Sequence, residues 1–310
     1  MDGNTMMSGV NHRNSSTVYK GHEKILISQE EQEKINEVRR LIGPLSAKAS
    51  VYCSDLSISR YLRSKNWNVK KATQMLQRSL KWREEYKPEE IRWEDVANDA
   101  ETGKIYMPGY YDRHGRTVLV MRPSRQRSTN DIKEQIMYFV YCLENAIFNL
   151  PPNQEEIVWL VDFQGYTLAN LSFKITRETA FILQEYYPER LGLGFMYNAP
   201  RIFRPFYAMV KPLLESKTYN RIKFGYSNDH NTKKMIEDLF DMDQLDSAFG
   251  GNNDTGFDIV KYAERMKEQD KKVASFWALV KTPSSSVSHS ASSSDSTSLD
   301  PDSDGSNTEN

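Results

Sequence analysis

The chain has 310 residues and a mass of 36.0 kDa, and 38% of its residues are hydrophobic and 27% charged. This composition is typical of a globular protein with a sizeable core and excludes a wholly disordered or collagen-like chain. The formal net charge of −1 is unevenly distributed, because residues 282–310 contain five acidic residues and no Lys or Arg, which leaves residues 1–281 at +4. That charge is mild for nucleic-acid binding but compatible with an anionic membrane surface.

The two ends of the chain differ from the rest. Residues 1–27 are polar and aperiodic, and residues 282–310 include 12 Ser among 29 residues, so both are predicted to be disordered. The first residues lack a basic-then-apolar signal pattern, and Asp2 stands where myristoylation requires Gly. The longest clean apolar run, residues 136–143, is far shorter than the roughly 18 residues that cross a bilayer. A cytoplasmic protein with at most peripheral membrane contact is expected.

Residues 28–95 are predicted to form a small helical lobe. Ser28 and Glu31 have the spacing of a capping box, in which each side chain satisfies a free backbone amide at the start of a helix. A second helix is expected from about Asp55, and a third after Asn68, which is a typical N-cap residue. Apolar residues follow each start at helical spacing.

The most polarised stretch of the chain runs from Arg60 to Arg83, with eight basic residues and no acidic one. Such a run forms either the solvated face of a helix or a surface that contacts phosphate or lipid headgroups. The sequence by itself leaves both interpretations open.

Residues 96–281 are predicted to form an α/β domain. Residues 106–111 and 117–121 indicate a hairpin, and residues 157–161 do not alternate in polarity, as expected for a strand buried on both faces. Helices and strands then alternate along the chain, which favours a sheet covered by helices. The other predicted elements are a helix from Asp131 to Pro151, a helix at 172–187, a strand at 194–198, a helix at 205–214, a strand at 221–224, and helices at 232–239 and 257–277.

Motifs of catalysis and metal binding are missing from the sequence. It contains no GxSxG, P-loop, HExxH or GxGxxG pattern, and its five His are scattered. Cys53 and Cys142 are not spaced as the ligands of a metal ion are. No nucleophile with a nearby base can be proposed, so neither a catalytic residue nor a metal site is expected and the protein is predicted not to be an enzyme.

Several segments together resemble the CRAL-TRIO lipid-binding family, and specifically its phosphatidylinositol transfer branch. Over residues 50–251 they are, in order, RYLRSKNWNVKKATQMLQRSLKWR, DRHGR with VLVMRP, LVDFQG, YYPERLG, YNAP, KPLL, TYNRIKF and FGG. The resemblance implies an N-terminal helical lobe followed by an α/β domain whose mixed sheet encloses a hydrophobic lipid pocket. The order of the predicted elements agrees with that fold.

A carrier of this kind must select its lipid through the headgroup. A diacyl lipid has about 30 methylenes, each worth roughly 0.8 kcal/mol when withdrawn from water, so its chains must be enclosed. The bilayer offers nearly the same burial, and the chains therefore discriminate little between lipids. A few charge-assisted hydrogen bonds of roughly 1.5 to 3 kcal/mol each are enough for tenfold to hundredfold preferences.

The resemblance assigns headgroup binding to four residues, Lys65, Glu189, Thr218 and Arg221. Lys65 corresponds to a basic residue that approaches the phosphate, and Glu189 to a carboxylate that accepts hydrogen bonds from inositol hydroxyls. Thr218 and Arg221 correspond to the hydroxyl and the basic residue opposite them. Arg221 stands where Lys is common, which keeps the charge and adds a fork suited to phosphate.

One departure from the family concerns the strand before the DxxG segment. Members that also carry phosphatidylcholine have hydroxyl side chains there, whereas this chain has Ile157 and Trp159. Phosphatidylcholine binding is therefore not expected. The two residues are predicted to line or narrow the cavity and to favour another hydrophobic second ligand.

A mobile helical gate is a separate hypothesis, based on an apolar stripe near residue 205. The stripe consists of Phe203, Phe206, Tyr207, Val210, Leu213 and Leu214. Arg201, Arg204 and Lys211 lie beside it, a combination that suits a membrane surface. Pro212 is expected to break the helix and limit a swinging segment. The alternative is an ordinary core helix.

The predicted function is transfer of phosphatidylinositol, together with a second lipid, between membranes. The protein is expected to be a monomer that contacts membranes transiently, binds no nucleic acid, and needs no cofactor beyond the bound phospholipid. One alternative is a carrier of a tocopherol-type or retinoid-type ligand. Another is a lipid-sensing scaffold that presents phosphatidylinositol to a lipid kinase or trafficking partner, with the Ser-rich tail as the interaction element.

Overall fold

The structure, a computed structural model, describes residues 27–126, 131–170 and 172–281. Disorder is predicted for residues 1–27 and 282–310, and apart from Ile27 these residues lie outside the described part of the chain. No helix within the described residues is both long and apolar enough to cross a bilayer.

Helices surround a single sheet in the described part of the chain. The helices are α1 (Gln29–Ile42), α2 (Ala47–Tyr52), α3 (Asp55–Ser64), α4 (Val69–Tyr86), α5 (Trp93–Ala100), α6 (Ile132–Phe148), α7 (Phe173–Tyr186), α8 (Phe203–Val210), α9 (Ser216–Asn220), α10 (His230–Leu239) and α11 (Ile259–Lys281). The strands are β1 (Ile105–Tyr106), β2 (Thr117–Met121), β3 (Ile157–Asp162), β4 (Leu191–Tyr197) and β5 (Ile222–Gly225).

The five strands of the described chain form a mixed sheet in the order β1-β2-β3-β4-β5. The strands β2 to β5 are parallel, and β1 is antiparallel to β2. Parallel neighbours require crossover connections, and α6, α7 and α8 with α9 supply them. The predicted α/β class and the mixed sheet are confirmed.

The predicted hairpin is shorter than expected. Only Ile105–Tyr106 pairs as a strand with β2, and the loop returns to the sheet through one isolated bridge between Tyr111 and Thr117. Pro108 and Gly109 interrupt the run between them. Proline has no N–H to donate, and Gly109 has a φ of +100°, so neither continues a regular strand.

Burial of β3 on both faces is confirmed, because all six of its residues are buried. Its odd-numbered side chains, such as Trp159, point to one face and its even-numbered ones to the other. Leu160 and its β4 neighbour Phe195 pack on the second face within the main core, which includes Ile236 of α10. Phe139 of α6 meets Trp159 edge-on, at 5.6 Å between ring centroids.

The helical lobe has a core of its own, built by α1, α3 and α4. The capping box of Ser28 and Glu31 is present, and Asn68 caps α4 by accepting from the backbone N–H of Lys71. The six-residue helix α2, which begins after Ser46, was not predicted. It has no buried residues, so it lacks the apolar stripe by which a helix is recognised in a sequence.

Helix α5 crosses the predicted border between the lobe and the α/β domain at residues 95 and 96. Its buried side chains Trp93, Val96 and Ala100 belong to the main core of the sheet domain rather than to that of the lobe. Trp93 also donates its backbone N–H to Asp270 of α11 at 2.6 Å. This helix is therefore packed with the sheet domain.

Buried ion pairs fasten the lobe to the sheet domain. Glu155, immediately before β3, accepts from Arg60 and, at 2.9 Å, from Arg63, both on α3. Burial alone raises the pKa of Glu155, but the charges and hydrogen bonds of the two arginines outweigh it and lower the pKa overall. Glu144 is bound in the same way by Arg83 of α4, and its pKa is also lowered.

These pairs predict a loss of stability in acid. A carboxyl whose pKa is lower in the folded than in the unfolded state stabilises the fold above the unfolded value, about 4.3 for Glu. That stability is lost as the pH falls through the folded pKa. The free energy of unfolding, from urea titrations at pH 7, 4 and 3, should therefore fall towards acid. Glu155→Gln should lower it by about 3 kcal/mol at pH 7, because Arg60 is left buried without its partner.

The exposed pair of Glu37 and Arg40 on α1 provides the control. Glu37→Gln removes the same charge from a surface ion pair that solvent screens, so it should leave the free energy of unfolding almost unchanged. An equal effect of both substitutions at pH 7 would contradict the structural role of Glu155.

Candidate functional site

A cavity of about 250 Å³ lies between one face of the sheet and the helices α6, α7 and α8. Its walls are largely apolar. Its lining includes Met121, Phe139, Trp159, Val161, Thr179, Met196, Phe203 and Phe206. The crossover helices that the parallel sheet requires thus form one side of the cavity.

The strand side of this cavity follows from alternation and register. Trp159 and Val161 lie on the same face of β3, since they are two residues apart. Met121 of β2 and Met196 of β4 both pair with Val161, so all three side chains point to that face. Regular pairing of parallel strands therefore places a row of large apolar side chains on one wall.

Ile157 and Trp159 have different positions relative to the cavity. Trp159 lines it, whereas Ile157 is fully buried in the main core at the start of β3. Both residues lie on the same face, but they occupy different levels along the strand. Of the two, Trp159 is placed to narrow the cavity.

The apolar stripe of α8 faces inward. Phe203 and Phe206 line the cavity, and together with Val210 they are buried in a cluster with Val161 and Phe163. Tyr207 is partly buried against that cluster and meets Phe224 of β5 edge-on. The stripe predicted for membrane contact is thus the inner face of the helix, and other residues form its outer face.

The helices α7 and α8 pack against each other. Their outer surfaces carry exposed apolar and basic residues. On α8 these are Met209, which is 57% exposed, and Arg204, with Ile202 at the N-cap 42% exposed. On α7, Phe173 and Phe181 are exposed. Large apolar side chains beside cations are typical of a surface that meets lipid headgroups and acyl chains.

Helix α8 ends where Pro212 was expected to end it. The helix stops at Val210 and continues as a short 3-10 turn, Lys211–Leu213. The side chain of Gln184 on α7 fixes this end: its Nε2 donates to the carbonyl of Leu213 at 2.9 Å, and its Oε1 accepts from the backbone N–H of Glu215 at 2.5 Å. One amide side chain therefore joins α7 to the segment between α8 and α9.

A much smaller cleft, of about 20 Å³, lies at the C-terminal end of α7. Three of the four residues assigned to headgroup binding, Glu189, Thr218 and Arg221, line it. Arg221 donates to Glu189 at 2.8 Å and to the carbonyl of Leu191 at 2.5 Å. Thr218 is on α9, and Arg221 is the C-cap of that helix. A short helix thus carries the hydroxyl and the guanidinium to the same place.

Glu189 has an unusual backbone conformation. Its φ of +58° lies in the left-handed region, which costs a residue with a side chain roughly 1 to 2 kcal/mol. Its side chain is only 9% exposed and is held by Arg221. Strained backbone of this kind concentrates at binding and catalytic sites, where the surrounding structure compensates for it.

Lys65 joins the cleft through an ion pair. At the C-cap of α3, its Nζ lies 2.9 Å from Glu215, which lines the cleft. Lys217 also lines the cleft, and its Nζ is 3.9 Å from Glu189. The sequence reasoning missed Glu215 and Lys217. Two charges of opposite sign just before Thr218 were the available signal, but a pair of exposed charges is common on helices.

Tyr166 is a polar group in the cavity wall that remains uncharged. Burial raises its pKa to about 12. The phenol therefore stays neutral at physiological pH and adds no charge to the apolar cavity.

The comparisons with known proteins agree on the domain type. Residues 100–251 match the family model of the CRAL/TRIO domain. A CRAL-TRIO domain-containing protein of Schizosaccharomyces pombe is 32% identical over 68% of this chain, which spans 20% of that protein. The phosphatidylinositol transfer protein PDR17 of Saccharomyces cerevisiae is 28% identical over 67% of this chain, which spans 60% of that protein.

Two further matches extend this result. The phosphatidylinositol transfer protein CSR1 of Eremothecium gossypii is 26% identical over 66% of this chain and 48% of its own length. The crystal structure of Sfh5 superposes with a TM-score of 0.59 at 14% identity, over 82% of this chain and 99% of Sfh5. At that identity the superposition shows the fold alone. The chain carries a CRAL-TRIO domain over residues 100–251, and its relatives include phosphatidylinositol transfer proteins of yeasts.

Proposed function

We propose that this protein binds one phospholipid, phosphatidylinositol, and transfers it between membranes. The observation that carries the proposal is the apolar cavity behind α8, together with the charged cleft at the other end of α7. Acyl chains would occupy the cavity, and the headgroup would occupy the cleft. Phosphatidylinositol transfer is also the function named for two of the relatives, although this chain spans only about half to three fifths of their length.

The cavity must enlarge to accept a lipid. Its volume of about 250 Å³ is below the roughly 300 to 1,000 Å³ of pockets for drug-sized ligands, and a diacyl lipid is at least that large. Because Phe203 and Phe206 form one wall, outward movement of α8 would add the missing volume. The bilayer would bury the exposed apolar faces of α8 during this step, so opening requires a membrane surface.

The headgroup cleft must open at the same time. Its charges already have partners, since Lys65 is paired with Glu215 and Arg221 with Glu189. A lipid phosphate would replace Glu215 at Lys65, and inositol hydroxyls would hydrogen-bond to Glu189, Thr218 and Arg221. Gln184 holds Glu215 and the end of α8 together. Movement of α8 would therefore strain the contacts that keep the cleft closed.

The position of Trp159 favours a second ligand that is not phosphatidylcholine. Its ring narrows the cavity, and its Nε1 is buried without a hydrogen-bond partner among the described residues. A buried donor without a partner costs about 1 to 3 kcal/mol. A hydrophobic ligand with a single oxygen acceptor would suit this wall better than the charged choline headgroup.

A transfer assay tests the proposed function. Donor vesicles with labelled phosphatidylinositol or labelled phosphatidylcholine are incubated with unlabelled acceptor vesicles and the full-length protein. The proposal expects phosphatidylinositol to move faster than in the absence of protein, and phosphatidylcholine to move at least tenfold more slowly than phosphatidylinositol. Equal rates for both lipids would contradict headgroup selection, and no transfer of either would contradict the carrier function.

A further inference from the structure

A second cleft, of about 250 Å³, lies between the β1–β2 loop and α11, away from the lipid cavity. Thr117 and Met121, at opposite ends of β2, belong to this cleft and to the lipid cavity respectively. Four residues of a strand span about 13 Å, so the two spaces are separate. Phosphatidylinositol binding as proposed above involves no residue of this cleft.

The cleft wall is cationic. Arg265, Gln269 and Lys272 of α11 line it at positions i, i+4 and i+7, which lie on one face of a helix. Among the described residues that line the cleft there is no Asp or Glu. The positive charges of Arg265 and Lys272 are therefore not balanced within this wall.

Arg265 is held in place without being neutralised. It donates to the backbone carbonyls of Met107 and, at 3.1 Å, of Pro108. These bonds use two of the five N–H donors of the guanidinium and no negative charge. Gly109 makes this approach possible, because a Cβ on its backbone, at a φ of +100°, would collide with the guanidinium. The loop thus fixes the orientation of the arginine.

The inner part of the wall contains polar groups without partners. Oγ1 of Thr117 and Nε2 of Gln269 are buried and have no hydrogen-bond partner among the described residues. The two residues are 5% and 8% exposed. Leaving such groups unsatisfied costs about 1 to 3 kcal/mol each, which a bound acceptor would recover. A hydroxyl and an amide N–H next to two cations suit an acceptor that carries negative charge.

We propose that this cleft binds a phosphoryl group. Its oxygens would accept from Arg265, Lys272, Thr117 and Gln269, in the charge-assisted geometry that arginine favours for phosphate. The volume is below that of drug-sized pockets, so the phosphoryl group belongs to free phosphate, to a small phosphomonoester, or to a lipid headgroup that enters alone. The inference is independent of phosphatidylinositol transfer.

The test is a titration of the full-length protein followed by backbone amide ¹H–¹⁵N shifts. The soluble probes are inorganic phosphate and glycerol 3-phosphate, and a second arm measures cosedimentation with vesicles that contain phosphatidic acid. At least one arm should show binding, with the soluble probes shifting the amides near Gly109 and Gln269. Binding in the soluble arm indicates a free phosphate ligand. Because α8 also contacts vesicles, the vesicle arm indicates a lipid headgroup in this cleft only where binding to phosphatidic acid exceeds binding to phosphatidylcholine vesicles and the excess is lost in Arg265→Gln with Lys272→Gln.

The matched variants change two charges on the same helix. Arg265→Gln with Lys272→Gln should weaken binding at least tenfold. Lys267→Gln with Lys271→Gln removes two exposed charges outside the wall and should change binding less than twofold. Thr117→Val should weaken binding several-fold, and unchanged thermal unfolding of the variants establishes that they are folded. No binding in either arm, or equal binding by both double variants, would overturn the proposal.

Discussion

Arg221→Ala is expected to lower phosphatidylinositol transfer about ten- to hundredfold. The substitution removes a charge-assisted contact worth roughly 1.5 to 3 kcal/mol, and each 1.4 kcal/mol corresponds to a factor of ten. Glu189→Ala should have a similar effect, because it removes the acceptor for the inositol hydroxyls and the carboxylate that orients Arg221 at 2.8 Å. Initial rates of transfer between vesicles give the measurement.

Lys223→Ala is the matched control for Arg221→Ala. Lys223 is an exposed cation two residues later, on β5, and it does not line the cleft. Its removal should leave the transfer rate within about twofold, which separates a specific contact from a general loss of positive charge. Transfer at the wild-type rate by folded Arg221→Ala and Glu189→Ala proteins would refute the headgroup cleft.

Ile202→Glu combined with Met209→Glu is expected to abolish vesicle binding and to lower lipid transfer at least a hundredfold. Both side chains are exposed, at 42% and 57%, on the outer surface of α8 and its N-cap. Burying the exposed halves of two such side chains in a membrane contributes about 1.5 to 3 kcal/mol, equivalent to a factor of about 10 to 100 in binding. The new charges add repulsion from anionic lipids. Cosedimentation with phosphatidylinositol-containing vesicles measures the first effect.

Val260→Glu is the control for this pair, since Val260 is 64% exposed but lies on α11. It should bind vesicles and transfer lipid as the wild type does. Phe206→Glu with Val210→Glu does not test membrane contact alone. Both residues are buried, so the double variant would lose core packing together with any effect on vesicle binding. Unchanged vesicle binding by the folded Ile202 and Met209 variant would rule out α8 as the membrane contact.

Local signals predicted the elements that have strong caps or strong periodicity. Ser28, Asn68 and Asp131 were each recognised as helix starts, and each caps its helix in the structure. The same reasoning missed α2 and α9, with six and five residues, because neither is long enough to display an apolar stripe. Short helices of this kind are stabilised by the tertiary structure around them.

The site was predictable only in part, since its geometry depends on contacts between distant segments. The resemblance supplied Lys65, Glu189, Thr218 and Arg221, and the structure places three of them around one cleft, with the fourth joined through Glu215. A distance of 150 positions along the chain separates Lys65 from Glu215. The inward orientation of Phe206 likewise depends on the sheet beneath it, which helical periodicity cannot reveal.

Native mass spectrometry of the 310-residue chain shows whether the protein selects phosphatidylinositol. The protein is incubated with vesicles that contain phosphatidylinositol, phosphatidylcholine and phosphatidylethanolamine in equal amounts, separated from them, and weighed under non-denaturing conditions. A phosphatidylinositol carrier should show one added mass per chain, that of phosphatidylinositol, and Arg221→Ala should lose it. A protein that carries no lipid, or that carries the three lipids in equal proportion, would contradict the proposed function.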